Sequence, residues 1–167
     1  MVNPIPDNCN TINAYVIVKD AKAAMEFYAK AFGGTVGCAM NAPDGSVTHG
    51  EVTIGNSTLM LSQENPQWEM KSAETLGGSP ISLHVYVEDS DSVFKQAVEA
   101  GCHEIMPVTD MFWGDRYGKV VDPFGIQWGI ATHKEDLTED QLQERANEWF
   151  SQMAQQGSCE GAEATSG

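Results

Sequence analysis

The chain has 167 residues, 41% hydrophobic and 20% charged, and carries a net charge of −15 from 24 acidic and 9 basic side chains. That length suits one domain or two small modules sharing a core, and the composition is that of a soluble globular protein. So acidic a surface repels phosphate backbones and anionic lipid, so no nucleic-acid or membrane partner is expected.

The opening "MVNPIPDNCN" shows neither the basic start nor the apolar run of a secretory signal. Nor does any stretch approach the roughly 20 apolar residues that span a bilayer. The expectation is a cytoplasmic protein. Cys9, Cys38, Cys102 and Cys159 are scattered without a CxxC pair. They read as free thiols, Cys38 and Cys102 being semi-buried.

Residues 10–64 read as a first βαβββ module. Ala14, Val16 and Val18 share one strand face by the period of two. Asp20 then suits a helix N-cap, with Ala24, Phe27, Tyr28 and Ala31 at helical spacing before Gly33 as the stop. Three strands follow near 34–40, 46–54 and 57–63. Within "VTHGEVTI", alternation turns Val52 and Ile54 toward the helix and leaves His49, Glu51 and Thr53 on the other face. Residues 65–80, rich in Gly, Pro, Ser and charge, read as a linker.

Residues 81–133 repeat the pattern. Superposing Asp89 on Asp20 places Ile81 on Ile12, Val85 on Val16, Val87 on Val18 and Ala100 on Ala31. Strands are expected near 103–108, 115–121 and 126–132. Period-two parity sets Ser82, His84 and Tyr86 on one face, and sends Gln127 to the same side and Trp128 to the helix side. "MFWGDRYGK" gathers Trp113, Arg116 and Tyr117 around glycines, suited to stacking on a ligand and forking onto an anion. The alternative is that Asp115 and Arg116 pair to pin a hairpin.

A C-terminal helix is expected over 136–156, where Thr138 and Gln141 form a capping box. Its apolar stripe of Leu142, Ala146, Trp149, Phe150 and Met153 must be buried, on the modules or on a second chain. Residues 157–167 are small and polar and are expected to be disordered. No P-loop, GxGxxG, GxSxG or HExxH pattern occurs.

The segments "AYVIVKDAKAAMEFYAKAFGG", "THGEVTIGNSTLML", "LGGSPISLHVYVEDSDSVF" and "FWGDRYGKVVDPFGIQWGIATH" resemble the vicinal oxygen chelate superfamily, the glyoxalase/bleomycin-resistance fold, in its PhnB-like branch. The resemblance implies an α+β protein of two βαβββ modules whose curved mixed sheets surround a cavity, with the C-terminal helix added. It also implies pairing of modules within one chain or between chains, and a homodimer is expected. Metal-dependent members hold one divalent ion with four cavity side chains, and the ion polarises two neighbouring substrate oxygens.

Carried onto this chain, those four positions are Asn13, Met60, Ser82 and Gly129, which offer no imidazole, thiolate or carboxylate. No cofactor is expected, and a divalent metal only in a shifted site made from His49, Glu51 and His84. The same three residues could instead transfer protons, or simply line a pocket by hydrogen bonding. Tyr15, Tyr86, Trp113, Arg116 and Gln127 are the candidate ligand-binding residues. Two readings stay open: a small-molecule binding protein without the usual metal, or a lyase or isomerase using His49, Glu51 and His84.

Overall fold

A computed structural model of the chain describes residues 2–160, with side chains described through residue 155. Two βαβββ units follow one another, forming two four-stranded mixed sheets, neither closed into a barrel. The first contains β1 (Tyr15–Val18), α1 (Ala21–Phe32), β2 (Thr35–Asn41), β3 (Val47–Ile54) and β4 (Ser57–Gln63). The second contains β5 (Ser82–Tyr86), α3 (Ser90–Ala100), β6 (His103–Asp110), β7 (Asp115–Val121) and β8 (Gln127–His133). Spatial orders are β1-β4-β3-β2 and β5-β8-β7-β6, with the first two strands of each sheet parallel and the rest antiparallel. The α+β class expected from the sequence is therefore the one observed.

Each helix forms where the caps predict. The Asp20 carboxylate accepts from the Ala23 amide at 2.9 Å, and Asp89 accepts from Ser92 at 3.1 Å. Gly33 ends α1 in the left-handed region at φ 67°, a conformation costly for a side chain with Cβ. Val16, Val18, Val52 and Leu61 bury the helix-facing side of the first sheet beneath Ala24, Met25, Tyr28 and Ala31. Val120, Trp128 and Ile130 do the same beneath Phe94 and Ala97 in the second.

The two units meet through these helical sides. Helices α1 and α3 pack on each other. Phe32 stacks on Trp128 with ring centroids 4.1 Å apart, and Gln96 donates to the Lys30 carbonyl at 2.6 Å. At the centre, buried Asp122 accepts from the Tyr28 hydroxyl, the Trp128 indole and the Phe124 and Ile126 amides, each at 2.9 Å. The sheet faces opposite the helices are consequently left open, with Tyr15 46% and Tyr86 62% exposed.

The linker carries local structure, and two expectations are corrected. The 65–80 segment is partly ordered: residues 66–68 form a 3₁₀ turn, and α2 (Ala73–Leu76) is capped by buried Ser72. Ser72 is held because its amide donates to Glu64 at 3.0 Å. Cys38 lies on the wholly exposed β2, whereas Cys102 is buried and its thiol is pushed up to about 12, chiefly by that burial. The last helix, α4 (Glu139–Glu160), opens on the expected capping box but runs on through residues 157–160, since one Gly costs a helix only about 1 kcal/mol. The rest of the expected tail, 161–167, lies outside the described residues. The α4 stripe is only half covered: Trp149 and Phe150 lie against Phe112 at 5.4 and 6.1 Å, yet Phe150 and Met153 remain mostly exposed.

Candidate functional site: two open sheet faces

Strand register defines what each open face carries. On the first sheet, Tyr15, Met60 and Glu51 form one row across β1, β4 and β3. His49, two residues before Glu51, points the same way. Its Nε2 lies 3.3 Å from Glu51 Oε1, and its Nδ1 lies 3.4 Å from the Tyr15 hydroxyl. Asn8 donates to the other Glu51 oxygen at 3.3 Å. Phenol, imidazole and carboxylate are thus connected in series, an arrangement able to relay a proton. The structure brings together Tyr15, His49 and Glu51.

On the second sheet three rows cross β5, β8 and β7: Ser82–Gln127–Val121, His84–Gly129–Lys119 and Tyr86–Ala131–Tyr117. The His84 and Tyr117 rings stack at 5.6 Å and 13°, and Tyr86 tilts against His84 at 4.7 Å. Trp113 meets Tyr117 edge-on at 5.6 Å. His84 therefore belongs to an aromatic group on its own sheet and does not join His49 and Glu51 within the chain. An open cleft of ≈ 1210 Å³ runs along the unpaired side of β5, bringing His84 and Tyr86 opposite Asn13 and the β3–β4 turn.

Asp115 anchors the end of this aromatic group. Its carboxylate is buried, accepting from the Tyr86 hydroxyl at 2.9 Å and the Trp113 indole at 3.1 Å. Its other oxygen lies 2.9 Å from His133 Nδ1, whose Nε2 lies 3.0 Å from Asp136. Hydrogen bonding to Asp115, then to Asp136, raises the His133 pKa, and the bond to Asp115 raises that of Tyr86. Burial raises that of Tyr117.

Arg116 points elsewhere. It lies opposite Thr132, on the helix side, with its guanidinium committed to Asp91 of α3 at 2.7 Å and to Asp110 at 3.2 Å. These bonds tie β7 to the start of α3 and direct the guanidinium away from the open face, and its partner is not Asp115. Sequence parity had placed Gln127 and Trp128 on the sides they occupy. Extending that parity from Gln127's neighbour strand through 115–121 would have added Asp115, Tyr117 and Lys119. His133 carries no such signal, because its partner Asp115 is 18 residues away.

The positions that the resemblance assigns to metal ligands do not fit a divalent ion. Met60 lies opposite Tyr15 as Gly129 lies opposite His84, so the two occupy equivalent places in the repeat. They offer a thioether and no side chain, and Asn13 and Ser82 add an amide and a hydroxyl. The space at Gly129 is also taken. A Cβ there would stand 2.6 Å from Tyr117 Cε2 and 3.0 Å from His84 Nδ1. Among the described residues, no three His, Cys, Asp or Glu side chains are grouped to hold a metal, and His49, Glu51 and His84 form no such set within one chain.

Two βαβββ units joined through their helices, each with one polar-aromatic face left open, define a two-module α+β protein. The model of the glyoxalase/bleomycin resistance protein/dioxygenase superfamily matches residues 10–130, and the chain belongs to that superfamily. It is 34% identical over 135 residues to an uncharacterized protein of Mycobacterium bovis, covering 79% of this chain and 89% of that one. Its fold is similar to TioX from Micromonospora sp. ML1, with TM-score 0.58 and 22% identity over 74% of this chain and 98% of TioX. The PhnB protein from Bacillus cereus is similar at TM-score 0.57 and 16% identity, over 74% of this chain and 99% of that one. Helix α4 follows the stretch matched by the family model.

Proposed function

We propose that the protein binds a small organic molecule, without the metal used by metal-dependent relatives, in a cavity completed between two copies of the chain. In this reading the open face of the first module in one copy meets that of the second module in the other. The observation that carries it is the pair of open faces, each lined by rings and hydrogen-bonding groups that a folded chain would otherwise cover. On those faces Tyr15 and Met40 of the first module and Tyr86 of the second are exposed. Exposed apolar and aromatic side chains on both faces are what an interface joining them requires. The four quoted segments, together with the fold likeness to a PhnB protein, support the PhnB-like branch. Three unpaired cysteines among the described residues support a reducing, cytoplasmic setting.

Equilibrium sedimentation at micromolar concentration tests the assembly, the expected mass being twice the 18.1 kDa chain. A single-chain mass that persists at the highest soluble concentration refutes it. A second reading is favoured by the Tyr15–His49–Glu51 relay: proton transfer on a bound carbonyl compound. It expects deuterium uptake beside the carbonyl of a bound ketone, lost in His49→Gln, and uptake unchanged by that substitution would dismiss it.

A further inference from the structure

We propose that Lys119 makes the open face of the second module a subsite for the anionic group of a planar aromatic ligand, whose ring lies against Tyr117 and His84. This rests on the reading of that face as ligand-binding and specifies the chemical class it would take.

Lys119 is set apart by its environment. Six of the seven lysines are exposed, and Lys119 alone is half-buried. Among the described residues no carboxylate lies within 4.0 Å of its ammonium, although the chain has 24 acidic residues to 9 basic ones. The two arginines, also half-buried, both have carboxylate partners. A cation drawn partly out of water without a counter-ion is costly, and a ligand anion would supply what the chain withholds.

The neighbours give that anion a shape. Lys119 and His84 flank Gly129 in one row, about 10 Å apart at two strand spacings. The gap over Gly129 is floored by the Tyr117 ring, which is nearly parallel to that of His84. Gln127 and Ser82 occupy the next row. A flat ring laid on this floor would have Lys119 at one edge and the Gln127 amide beside it. The equivalent place in the first module is Glu51, whose row with Met60 and Tyr15 matches Lys119, Gly129 and His84. Glu51 is already engaged by His49 and Asn8, so the repeat holds opposite charges at one position and only the cation is free.

The test uses two probes of one shape, naphthoate and neutral naphthylmethanol, titrated calorimetrically into the full chain. The wild-type protein is expected to bind naphthoate about tenfold more tightly, equivalent to about 1.4 kcal/mol. Lys119→Met should erase that preference while leaving naphthylmethanol within about twofold, and Lys119→Arg should keep it. Equal binding of both probes, or a preference that survives Lys119→Met, overturns the anion subsite while leaving the cavity. Loss of both probes together in Lys119→Met shows that the stem only packs on the sheet, and overturns it too. If the wild-type protein takes neither probe, the subsite falls along with the ligand-binding reading itself.

Discussion

Asp122 shows how much one side chain can settle at the residue scale. Its four donors come from the turn that follows it, from β8 and, through Tyr28, from the other module. In the sequence it is merely the first letter of a "DPFG" turn, because the Tyr28 contact lies 94 residues away. Each buried donor left without a partner costs about 1–3 kcal/mol. Asp122→Ala should therefore lower stability by at least about 3 kcal/mol, read as a fall in the urea midpoint. A midpoint that barely moves would show that water replaces the carboxylate and that the modules are joined mainly by their rings. Arg116 is the converse case. Its fork suggested a ligand, but a guanidinium on the helix side of β7 meets Asp91 first, and parity alone distinguishes the two outcomes.

At the scale of elements, His133 joins three of them: it ends β8, touches Asp115 at the start of β7 and reaches Asp136 before α4. Its folded pKa is raised above the ordinary value of 6.5 by the two carboxylates. A histidine shifted upward contributes stability that is fully present below the unfolded pKa and lost as pH rises through the folded one. The melting temperature should accordingly fall as pH rises from the unfolded value of about 6.5 through the raised folded pKa, by an amount that His133→Gln removes, as thermal scans over that rise would report. An identical slope in the variant would assign the pH dependence to other groups. Helix ends were legible in advance because caps are local chemistry, as Asp20, Asp89 and the Thr138–Gln141 box show. The end of α4 was not, since a glycine discourages a helix without forbidding it.

For the whole molecule, the repeat made the architecture readable. Strand parity, capping Asp and glycine stop recur in both halves, and the two sheets share one strand order. The way the halves meet was not readable, since it depends on Tyr28, Phe32, Phe124 and Trp128 finding one another across the chain. That meeting leaves both sheet faces open. If cavities form between copies, a first-module variant such as Tyr15→Ala and a second-module variant such as Lys119→Met should complement each other. Mixed after reversible dissociation, they should recover naphthoate binding in about a quarter of the cavities, because half the dimers are mixed and each holds one intact site. No recovery on confirmed mixing would mean that each module keeps its own ligand.

The Tyr117 ring over Gly129 also bears on redesign. Glycine at 129 offers no side chain, and the neighbouring ring fills the space, with its Cε2 2.6 Å from where a Cβ would stand. A carboxylate introduced there by a single substitution would meet that ring before it met any ion. Building a chelating site at this place thus has an obligatory order, in which Tyr117 must shrink or swing aside first.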